Sequence, residues 1–407
     1  MTLNKIALCL SIAFAGNYST IAFAESNKTN TSITEAIING KTDINLNLRY
    51  ETVDQDNALE DGDALTLRTH LTYKTGSFKG FSSLIEFEDS RVVLGLDDYN
   101  NTLGKNTDHS VIADPETTEL DQFFLQYKQD SFVAKAGRQV ITMDNHRFVG
   151  HVGWRQDRQT FDAVKLAFEP AKGLKLDYAY LTQRNRIFAD GKDINSSDHL
   201  INVSYKTPIG KLTGYGYLLE VDNNTDNGLD TFGIRLNGKT SIKEQDITYQ
   251  LEYASQDADT ASTSYSADYV LAEVGTKVSG LGIKFGYELL GSYFGDYGFS
   301  TPLATLHKFN GWADQFLGTP KEGLQDIYAS IGGKIAGGKW AVAYHKFDAD
   351  EASETVDDLG SEIDAVFAKK FSKHYTAGIK LAAYSAGDDT AGKVDANKVW
   401  IWANAKF

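Results

Sequence analysis

The stretch DINLNLRYE, residues 43–51, sets the pattern that the rest of the chain repeats. Its even-numbered residues from Ile44 to Tyr50 are all apolar, whereas its odd-numbered residues from Asp43 to Glu51 are all polar or charged. An alternation with a period of two is the signature of a β-strand that has one apolar face. The same alternation returns in DALTLRTHLTYK (63–74), in ITYQLEY (247–253) and in the closing segment VWIWANAKF (399–407).

Segments of this kind predict 18 strands, and the connections between them alternate in length. The odd-numbered connections are long and polar, with 92–118 and 292–324 the longest, whereas the even-numbered ones are tight turns such as 129–130 and 336–338. We place the strands near residues 42–53, 63–75, 81–91, 119–128, 131–141, 160–168, 173–183, 198–206, 211–221, 230–238, 245–255, 267–278, 281–291, 325–335, 339–348, 360–370, 374–385 and 396–407.

Loop lengths sorted in this way are typical of a barrel that crosses an outer membrane. Outside the extreme N-terminus, no run of about 18 apolar residues is present, which excludes a helical membrane protein. The alternative, a soluble β-sandwich or solenoid, gives no reason for long and short connections to alternate. We therefore predict an all-β fold: a single transmembrane antiparallel β-barrel of about 18 strands in the bacterial outer membrane, with long extracellular loops and short periplasmic turns.

The N-terminus has the features of a secretory signal peptide. Lys5 supplies a positive charge, residues 6–15 are mostly apolar, and Ala22-Phe23-Ala24 offers a cleavage site. We expect a signal peptide at 1–24 and the barrel at 25–407. Cleavage would remove Cys9, the only cysteine, and would change the net charge from −15 to −16 because Lys5 is lost.

The charge balance, with 40 Lys and Arg against 55 Asp and Glu, makes nucleic acid an unlikely partner. The ten arginines are nevertheless clustered: six fall between residues 138 and 186, and none follows Arg235. Since the planar guanidinium group can make two parallel hydrogen bonds to a carboxylate, the cluster favours an anion-selective constriction. The alternative is that individual arginines pair with Asp144, Asp157, Asp162 or Asp190.

Two long connections are too rich in apolar and aromatic residues for simple solvent-exposed tips. The first, DNHRFVGHVGWRQDRQTFDA (144–163), is predicted to fold inward or to extend the wall, which would narrow the pore. The second, TPLATLHKFNGWADQFLGTP (301–320), is predicted to be a packed loop, with a short helix or an inward constriction loop as the two forms it could take.

The chain resembles the alginate-export family of outer-membrane porins over nearly its whole expected mature length. The resemblance is carried by LRYETVDQD (48–56), DALTLRTHLTYKTG (63–76), FEDSR (87–91), ADPETTEL (113–120), GRQVITMDNHRFVGHVGWRQDRQTFDA (137–163), NRIF (185–188), TPLATLHKFNGWADQFL (301–317) and the closing strand. It implies an 18-stranded barrel with an arginine-lined passage for an anionic polysaccharide. The pore-lining candidates are Arg138, Arg147, Arg155, Arg158, Arg184 and Arg186, with Arg49, Arg68 and Arg235 on the wall.

Three connections are strongly acidic: 54–63, 347–358 and 386–395. Divalent cations are a possible partner there, but the spacing matches no dedicated calcium loop, and solvated acidic loops are the simpler interpretation. The eight histidines form no zinc motif, and no nucleophile or phosphate-loop motif is present. We therefore predict no catalytic residues, no metal ligands and no cofactor.

The prediction for function is a passive channel for anionic oligosaccharides, polysaccharides or small carboxylates, with outer-membrane lipid and lipopolysaccharide as its surroundings. Two alternatives stay open at this stage. One is a barrel-embedded enzyme, which would need a nucleophile next to a histidine at the wall or rim. The other is a binding or structural barrel whose loops plug the lumen, which would conduct almost no current.

Overall fold

The computed structural model describes residues 30–225, 227–243 and 245–407. The expected signal peptide and Cys9 lie outside these ranges, so the processing site stays a prediction. Within the described ranges the chain forms one short α-helix, α1 (Ile33–Ile38), and twenty strands. No helix in these ranges is long and apolar enough to span a membrane.

The strands match the predicted set closely. They are β1 (Lys41–Gln55), β2 (Gly62–Lys74), β3 (Phe81–Asp98), β4 (Thr117–Gln129), β5 (Phe132–Gln139), β6 (Thr160–Ala171), β7 (Leu174–Asn185), β8 (Ile194–Thr207), β9 (Gly210–Glu220), β10 (Gly228–Ile242), β11 (Gln245–Asp259), β12 (Ser264–Val278), β13 (Leu281–Leu290), β14 (Ser292–Tyr293), β15 (Tyr297–Gly298), β16 (Leu324–Ile335), β17 (Gly338–Asp348), β18 (Asp358–Lys370), β19 (Tyr375–Ser385) and β20 (Ala396–Lys406). Three short 3-10 turns lie at Asp190–Lys192, Leu306–Lys308 and Asp389–Ala391.

Eighteen of these strands form one closed antiparallel barrel, and β14 and β15 form a separate small hairpin. Each barrel strand pairs with its sequence neighbour, and the ring closes where β1 pairs with β20, from Asn45 opposite Lys406 to Gln55 opposite Ala396. The backbone N–H groups of Phe407 and Ile44 each donate to the other residue's carbonyl, at 2.9 and 3.1 Å. Closure leaves no strand edge with unpaired backbone groups, which is the condition for a sheet in hydrocarbon.

The two faces of the wall differ as the alternation predicted. On β1, Leu48 is 40 % exposed, whereas the next residue, Arg49, is only 1 % exposed. The exposed face carries apolar side chains on every part of the ring, among them Phe123, Ile201, Phe285 and Ile363. The polar face points into the barrel, so the apolar face of the protein is its outside, as a lipid-facing barrel requires.

The structure differs from the prediction in three places. The strand β3 runs to Asp98 instead of ending near residue 91, because Asp97 and Asp98 pair with β2 beyond a bulge near Ala64. The β14–β15 hairpin lies inside the predicted loop 292–324. Bulges and two-residue strands leave no periodic pattern, so the sequence did not reveal them.

The helix α1 was not predicted either. Ser32 caps it by accepting a hydrogen bond from the Glu35 N–H at 3.1 Å, and the Gly76 N–H in the β2–β3 turn donates to the Ala36 carbonyl at 2.7 Å. The helix therefore lies against a short turn, at the end of the barrel where both termini of the ring meet. Six helical residues are too few to show a helical period.

The exposure of the outer face gives a test of the orientation. Phe285 is 59 % exposed near the middle of β13, so Phe285→Arg would place a charge in hydrocarbon and should reduce the free energy of unfolding in lipid by about 2–4 kcal/mol. Urea titration of the protein in liposomes measures this. The matched control is Lys284→Arg, on the inner face, which should change little; a small effect of Phe285→Arg would contradict a lipid-facing position.

Candidate solute passage

Two connections from the long-loop end fold into the barrel and meet inside it. We call residues 140–159 the first inward loop and residues 299–323 the second inward loop. The Gly150 N–H donates to the Leu303 carbonyl at 2.8 Å, and the Thr305 N–H donates to the His146 carbonyl at 3.0 Å. A Cβ atom at Gly150 would lie 2.1 Å from Thr305 Oγ1, so glycine is what allows this approach.

Aromatic side chains pack the two loops against different parts of the wall. Phe148 of the first loop contacts Tyr215 on β9 and Tyr269 on β12, with ring centroids 5.3 and 5.2 Å apart. Phe316 of the second loop contacts Phe347 on β17 with centroids 4.6 Å apart. Both loops are thus part of one continuous apolar cluster inside the barrel. The first loop folds inward as predicted, and the second takes the inward course that was one of its two predicted forms.

Arg155 connects both loops to the wall. Its Nη1 donates to both carboxylate oxygens of Glu51 on β1 at 3.0 Å, and its Nη2 donates to Asp314 of the second loop at 3.0 Å. Burial opposes the charge of Arg155, but the surrounding carboxylates of Glu51, Asp114 and Asp314 raise its pKa above its usual range. The guanidinium group is therefore a permanent cation that pins the constriction in place.

Arg158 makes a second clamp of the same kind. Its guanidinium group pairs with Glu86 on β3 and with Asp121 on β4. In the described part of the chain, His70, Glu86 and Asp121 form the one group whose positions would suit a metal ion. Because Arg158 already binds both carboxylates, the arrangement is a charge-compensated ion-pair cluster, and we assign no metal to it.

Arg147 fixes the other side of the first loop. Its Nε lies 2.8 Å from Glu288 on β13, and its Nη2 donates to Asn310 of the second loop at 3.0 Å. The Asn310 amide in turn donates to Glu288 at 2.8 Å, and the guanidinium group lies 4.8 Å from the centre of the Phe309 ring. Two motifs of the sequence, DNHRF (144–148) and NGWAD (310–314), are thus joined by one shared contact.

Lys380 on β19 contacts the second inward loop through Trp312 and His307. Its ammonium nitrogen lies 3.9 Å from the ring centre of Trp312, 4.5 Å from that of Trp154 and 5.2 Å from that of Trp400. It also lies 2.7 Å from His307 Nε2. Three indole faces around one cation give cation–π attraction in a desolvated setting, where such contacts are strongest.

The contact of Lys380 fixes the tautomer of His307. Since an ammonium group can only donate, Nε2 accepts, and Nδ1 carries the proton that it donates to Asp314 at 2.7 Å. Burial lowers the pKa of His307 to about 3, despite the neighbouring Asp314. The imidazole is therefore neutral, which is the only state compatible with an ammonium group at hydrogen-bond distance.

Four more of the predicted arginines lie on the wall strands and not in the inward loops. Arg184 on β7 makes a two-point pair with Asp198 at 2.7 and 2.8 Å, and Arg235 on β10 lies 3.3 Å from Glu252. Arg68 is buried on β2, and its Nη1 lies 3.4 Å from the Arg155 carbonyl. Arg49 and Arg68 thus lie on the wall, as predicted, next to residues 154 and 155 of the first inward loop.

Two further predicted pore residues, Arg138 and Arg186, lie on the outer face of the wall and beyond a strand end, respectively. Arg138 faces outward from β5, on the same side as Phe123, and pairs with Asp162 at 2.8 Å. The strand alternation explains this, because the neighbouring Gln139 is fully buried inside. Arg186 lies beyond the end of β7, with its guanidinium group 4.9 Å from the centre of the Phe188 ring.

The pairing of the interior arginines changes the expected electrostatics. Arg49, Arg147, Arg155, Arg158, Arg184 and Arg235 each contact at least one wall or loop carboxylate. Their charge is largely cancelled where they lie, so the structure does not present a bare arginine-lined bore. The alternative weighed from the sequence, pairing with aspartates, holds for Arg138 with Asp162.

The accessible cations are lysines, which were not among the predicted pore-lining residues. A cavity of about 250 Å³ lies on the short-turn side of the first inward loop, next to residues 142–144. Its lining includes four lysines and three acids: Lys165, Lys175, Lys206 and Lys211, with Asp144, Glu169 and Asp177. Among the described residues, Lys165 and Lys206 have no carboxylate within ion-pair distance, whereas Lys211 pairs with Asp144 at 2.7 Å.

A signal for these lysines was present in the sequence. Each of the eight short turns of the barrel is flanked by at least two lysines and by no arginine. They are Lys74 and Lys79, Lys128 and Lys135, Lys172 and Lys175, Lys206 and Lys211, Lys239 and Lys243, Lys277 and Lys284, Lys334 and Lys339, and Lys369, Lys370 and Lys373. The period-two pattern would have placed most of them inside.

The acidic connections use several carboxylates internally. Asp388 accepts hydrogen bonds from the backbone N–H groups of Asp357 and Asp358 at 2.8 and 2.9 Å, and Asp395 accepts from Ala386 at 2.7 Å. The loops 347–358 and 386–395 are therefore fastened to each other. Divalent cations at these loops stay a prediction.

The arginine clamp can be tested through loop stability. Arg155→Met would remove the guanidinium group that joins Glu51 to Asp314, and breaking a buried pair in this way costs about 3–5 kcal/mol. Hydrogen exchange across residues 140–159 should therefore accelerate strongly. The control is Arg91→Met, because Arg91 and Asp89 are 51 % and 36 % exposed and such pairs contribute about 0–1 kcal/mol. Equal protection in both variants would contradict the clamp.

The neutral His307 predicts that acid loosens the second inward loop. In an undocked loop, His307 would bind a proton below about pH 6.5, the ordinary pKa of histidine. In the docked loop, it binds a proton only near pH 3. Docking stability is therefore fully present above about pH 6.5 and falls as the pH drops from there towards 3, by about 2 kcal/mol at pH 5.

Hydrogen exchange of residues 301–317, corrected for the intrinsic pH effect, measures this slope. Burial also lowers the pKa of His146 to about 4 and that of His151 to about 3, so the first loop adds a slope of its own. The variant His307→Gln should flatten the dependence in the second loop. An unchanged slope in that variant would rule out His307 as its source.

Comparison with known proteins agrees with this architecture. The family model described as "Alginate export" matches residues 42–291. No curated protein matches the chain. Among solved structures, OccAB4 of Acinetobacter baumannii is 16 % identical, with a TM-score of 0.69 and coverage of 90 % of this chain and 98 % of that one.

Two structures from Pseudomonas aeruginosa are similar to the same degree. OccK9 (OpdG) is 13 % identical with a TM-score of 0.69, and covers 91 % of this chain and 100 % of its own. OpdK, solved with vanillate, is also 13 % identical with a TM-score of 0.69, covering 91 % and 99 %. Identities this low establish the shared barrel fold alone, whereas the family match spans more than half of the chain. The chain is thus an outer-membrane β-barrel that belongs to the alginate export family.

Proposed function

We propose that this barrel is a passive outer-membrane channel for anionic solutes: oligosaccharides or polysaccharides with acidic groups, or small carboxylates. The observation that carries the proposal is the lysine-lined cavity beside the first inward loop. Lys165 and Lys206 line it without a carboxylate partner among the described residues. Because the four lysines in the cavity outnumber the three lining carboxylates, the cavity keeps a net positive charge, which attracts anions and holds off cations.

Lysine suits such a site better than arginine does. Its ammonium group is a compact, strongly hydrated point charge on a flexible stem, so each contact with a carboxylate is weak and quickly exchanged. Conduction needs sites that bind well enough to admit a solute and weakly enough to release it. A succession of lysines around the inner wall meets both conditions.

The arginines have a different role in this proposal. Arg147, Arg155 and Arg158 hold the inward loops at a fixed distance from the wall, and so they set the width of the passage. Their ion pairs also place guanidinium groups and carboxylates side by side at the narrowest region. An anionic solute that passes there would exchange places with wall carboxylates such as Glu51, one after another.

Two relatives support an anionic solute without deciding which one. The family is described by alginate, a polymer of uronic acids, and OpdK was solved with vanillate, a small aromatic carboxylate. Both ligands carry carboxylate groups, so the lysine cavity fits the chemistry that they share. The proposal needs no catalytic residue, cofactor or covalent step.

Reversal potentials in planar bilayers test the proposal directly. Under a KCl gradient, the native channel should favour chloride over potassium. Replacing Lys165, Lys175, Lys206 and Lys211 by glutamate together should reverse that preference, because four charges in the cavity change sign. The matched control is Lys105→Glu, since Lys105 lies in an outer loop and pairs with Asp97, and it should leave the ratio unchanged.

Three results would overturn the proposal. The first is a native channel that prefers cations. The second is an anion preference that survives the fourfold lysine replacement. The third is a conductance near zero in the folded protein, which would favour a barrel plugged by its inward loops.

A further inference from the structure

The two ends of the barrel carry opposite charge. Lysines flank all eight short turns, while aspartates and glutamates occur in nearly every long connection. The exposed acids at the long-loop end include Asp98, Asp190, Asp257, Asp259, Glu351, Glu354, Asp357 and Asp389. Arginines such as Arg49, Arg155 and Arg158 lie deeper and are engaged with interior carboxylates, and the cations at the long-loop end, among them Arg91 and Lys105, pair with only some of the acids there.

The lysines at the short-turn end face water inside the barrel instead of lipid. Lys239 lies four residues from the buried Arg235, and Lys284 lies four residues from the buried Glu288, so each shares the inner face of its strand. Their side chains are accessible: that of Lys239 is 47 % exposed and that of Lys175 is 53 % exposed. The lysines therefore form a cationic vestibule at the periplasmic end.

The few carboxylates inside this vestibule do not neutralise it. Lys239 pairs with Asp246 at 2.6 Å, Lys284 with Glu273 at 2.8 Å, and Lys175 with Asp177 at 2.7 Å. Other inward lysines on the same ring, among them Lys277, Lys334 and Lys339, have no ion pair within the described residues. The vestibule keeps a net positive charge.

The constriction separates the two charged mouths. Charges act over a Debye length of about 10 Å in 0.1 M salt, which is shorter than a strand of ten residues, about 33 Å long if fully extended. Each mouth therefore has its own ionic composition. Anions concentrate in the lysine vestibule, and cations concentrate among the acidic loops.

We infer that this barrel is a bipolar pore that rectifies, with the lysines of the short turns and the acids of the long loops as the residues that determine the preferred direction of anion flow. This inference rests on the proposed anion channel and adds a direction to it. A potential that is positive on the extracellular side drives anions from the lysine vestibule into the constriction. It also drives cations from the acidic mouth into the same region, so mobile ions accumulate there and the conductance rises.

The opposite potential empties the constriction. It pulls anions back into the lysine vestibule and cations back into the acidic mouth. The acidic mouth holds few anions and the vestibule holds few cations, so the ions that leave the constriction are not replaced. Conductance then falls. An anionic solute consequently passes more readily from the periplasmic end to the extracellular end than in reverse, under driving forces of equal size.

The test is the current–voltage curve of channels inserted in a known orientation. Because the expected mature chain lacks cysteine, Ala352→Cys in an exposed acidic loop provides a single biotinylation site. Streptavidin added to one side then reports which channels present their long loops there. In symmetric 0.1 M KCl, we expect the current at positive extracellular potential to exceed the reverse current about twofold, and the ratio to approach one in 1 M salt.

A loop variant separates this inference from the proposed function. Asp190→Asn, Asp257→Asn and Asp389→Asn together should reduce rectification while leaving or strengthening the preference for anions. All three side chains are exposed in connections or at a strand end, so the barrel should still fold, which heat-modifiable migration on gels can confirm.

The outcomes are distinct. A native channel that prefers anions but has a linear current–voltage curve would overturn the inference and leave the proposed function standing. A native channel that prefers cations would overturn the proposed function. Rectification that persists unchanged in 1 M salt, or in the triple Asp variant, would show that fixed charge at the two mouths is not its cause.

Discussion

The closure of the β-sheet is the constraint on which the rest of the molecule depends. Hydrocarbon offers no partner to a backbone N–H or carbonyl group, so an edge strand would cost several kcal/mol for each unpaired group. The pairing of β1 with β20 removes that edge. Once the ring is closed, apolar side chains must point outward, and every charge on the strands has only the interior or the rims to occupy.

The cations inside the barrel fall into two groups that differ in their surroundings. Arginines such as Arg155 are buried among carboxylates and fasten the inward loops to the wall. Lysines such as Lys175 and Lys239 are accessible and lie near the short turns. The guanidinium group can satisfy several acceptors at once in a dry site, whereas the ammonium group keeps its water more readily. The two residue types therefore perform different tasks within one barrel.

Much of this could be predicted from the sequence, because the period of two survives wherever a strand has lipid on one side. All 18 barrel strands follow from it, whereas the inward course of the first loop was predicted from its aromatic content and that of the second was one of two predicted forms. The limits are also physical. Arg138 was assigned to the pore from its residue type, although its alternation with the buried Gln139 places it outside. The ion-pair partners of Arg147 and Arg155 come from distant segments, and no local pattern reveals such partners.

The meeting of Gly150 with Leu303 has a consequence for how the barrel is assembled. These residues are 153 positions apart, so the first inward loop is synthesised long before the segment against which it packs. Non-local pairing of this kind is slow to form, because loop-closure entropy is lost before the contact compensates for it. Until β20 joins the ring, Trp154 lacks its contacts with Trp400 and Trp402, so the first inward loop cannot complete its packing before the last strand is in place.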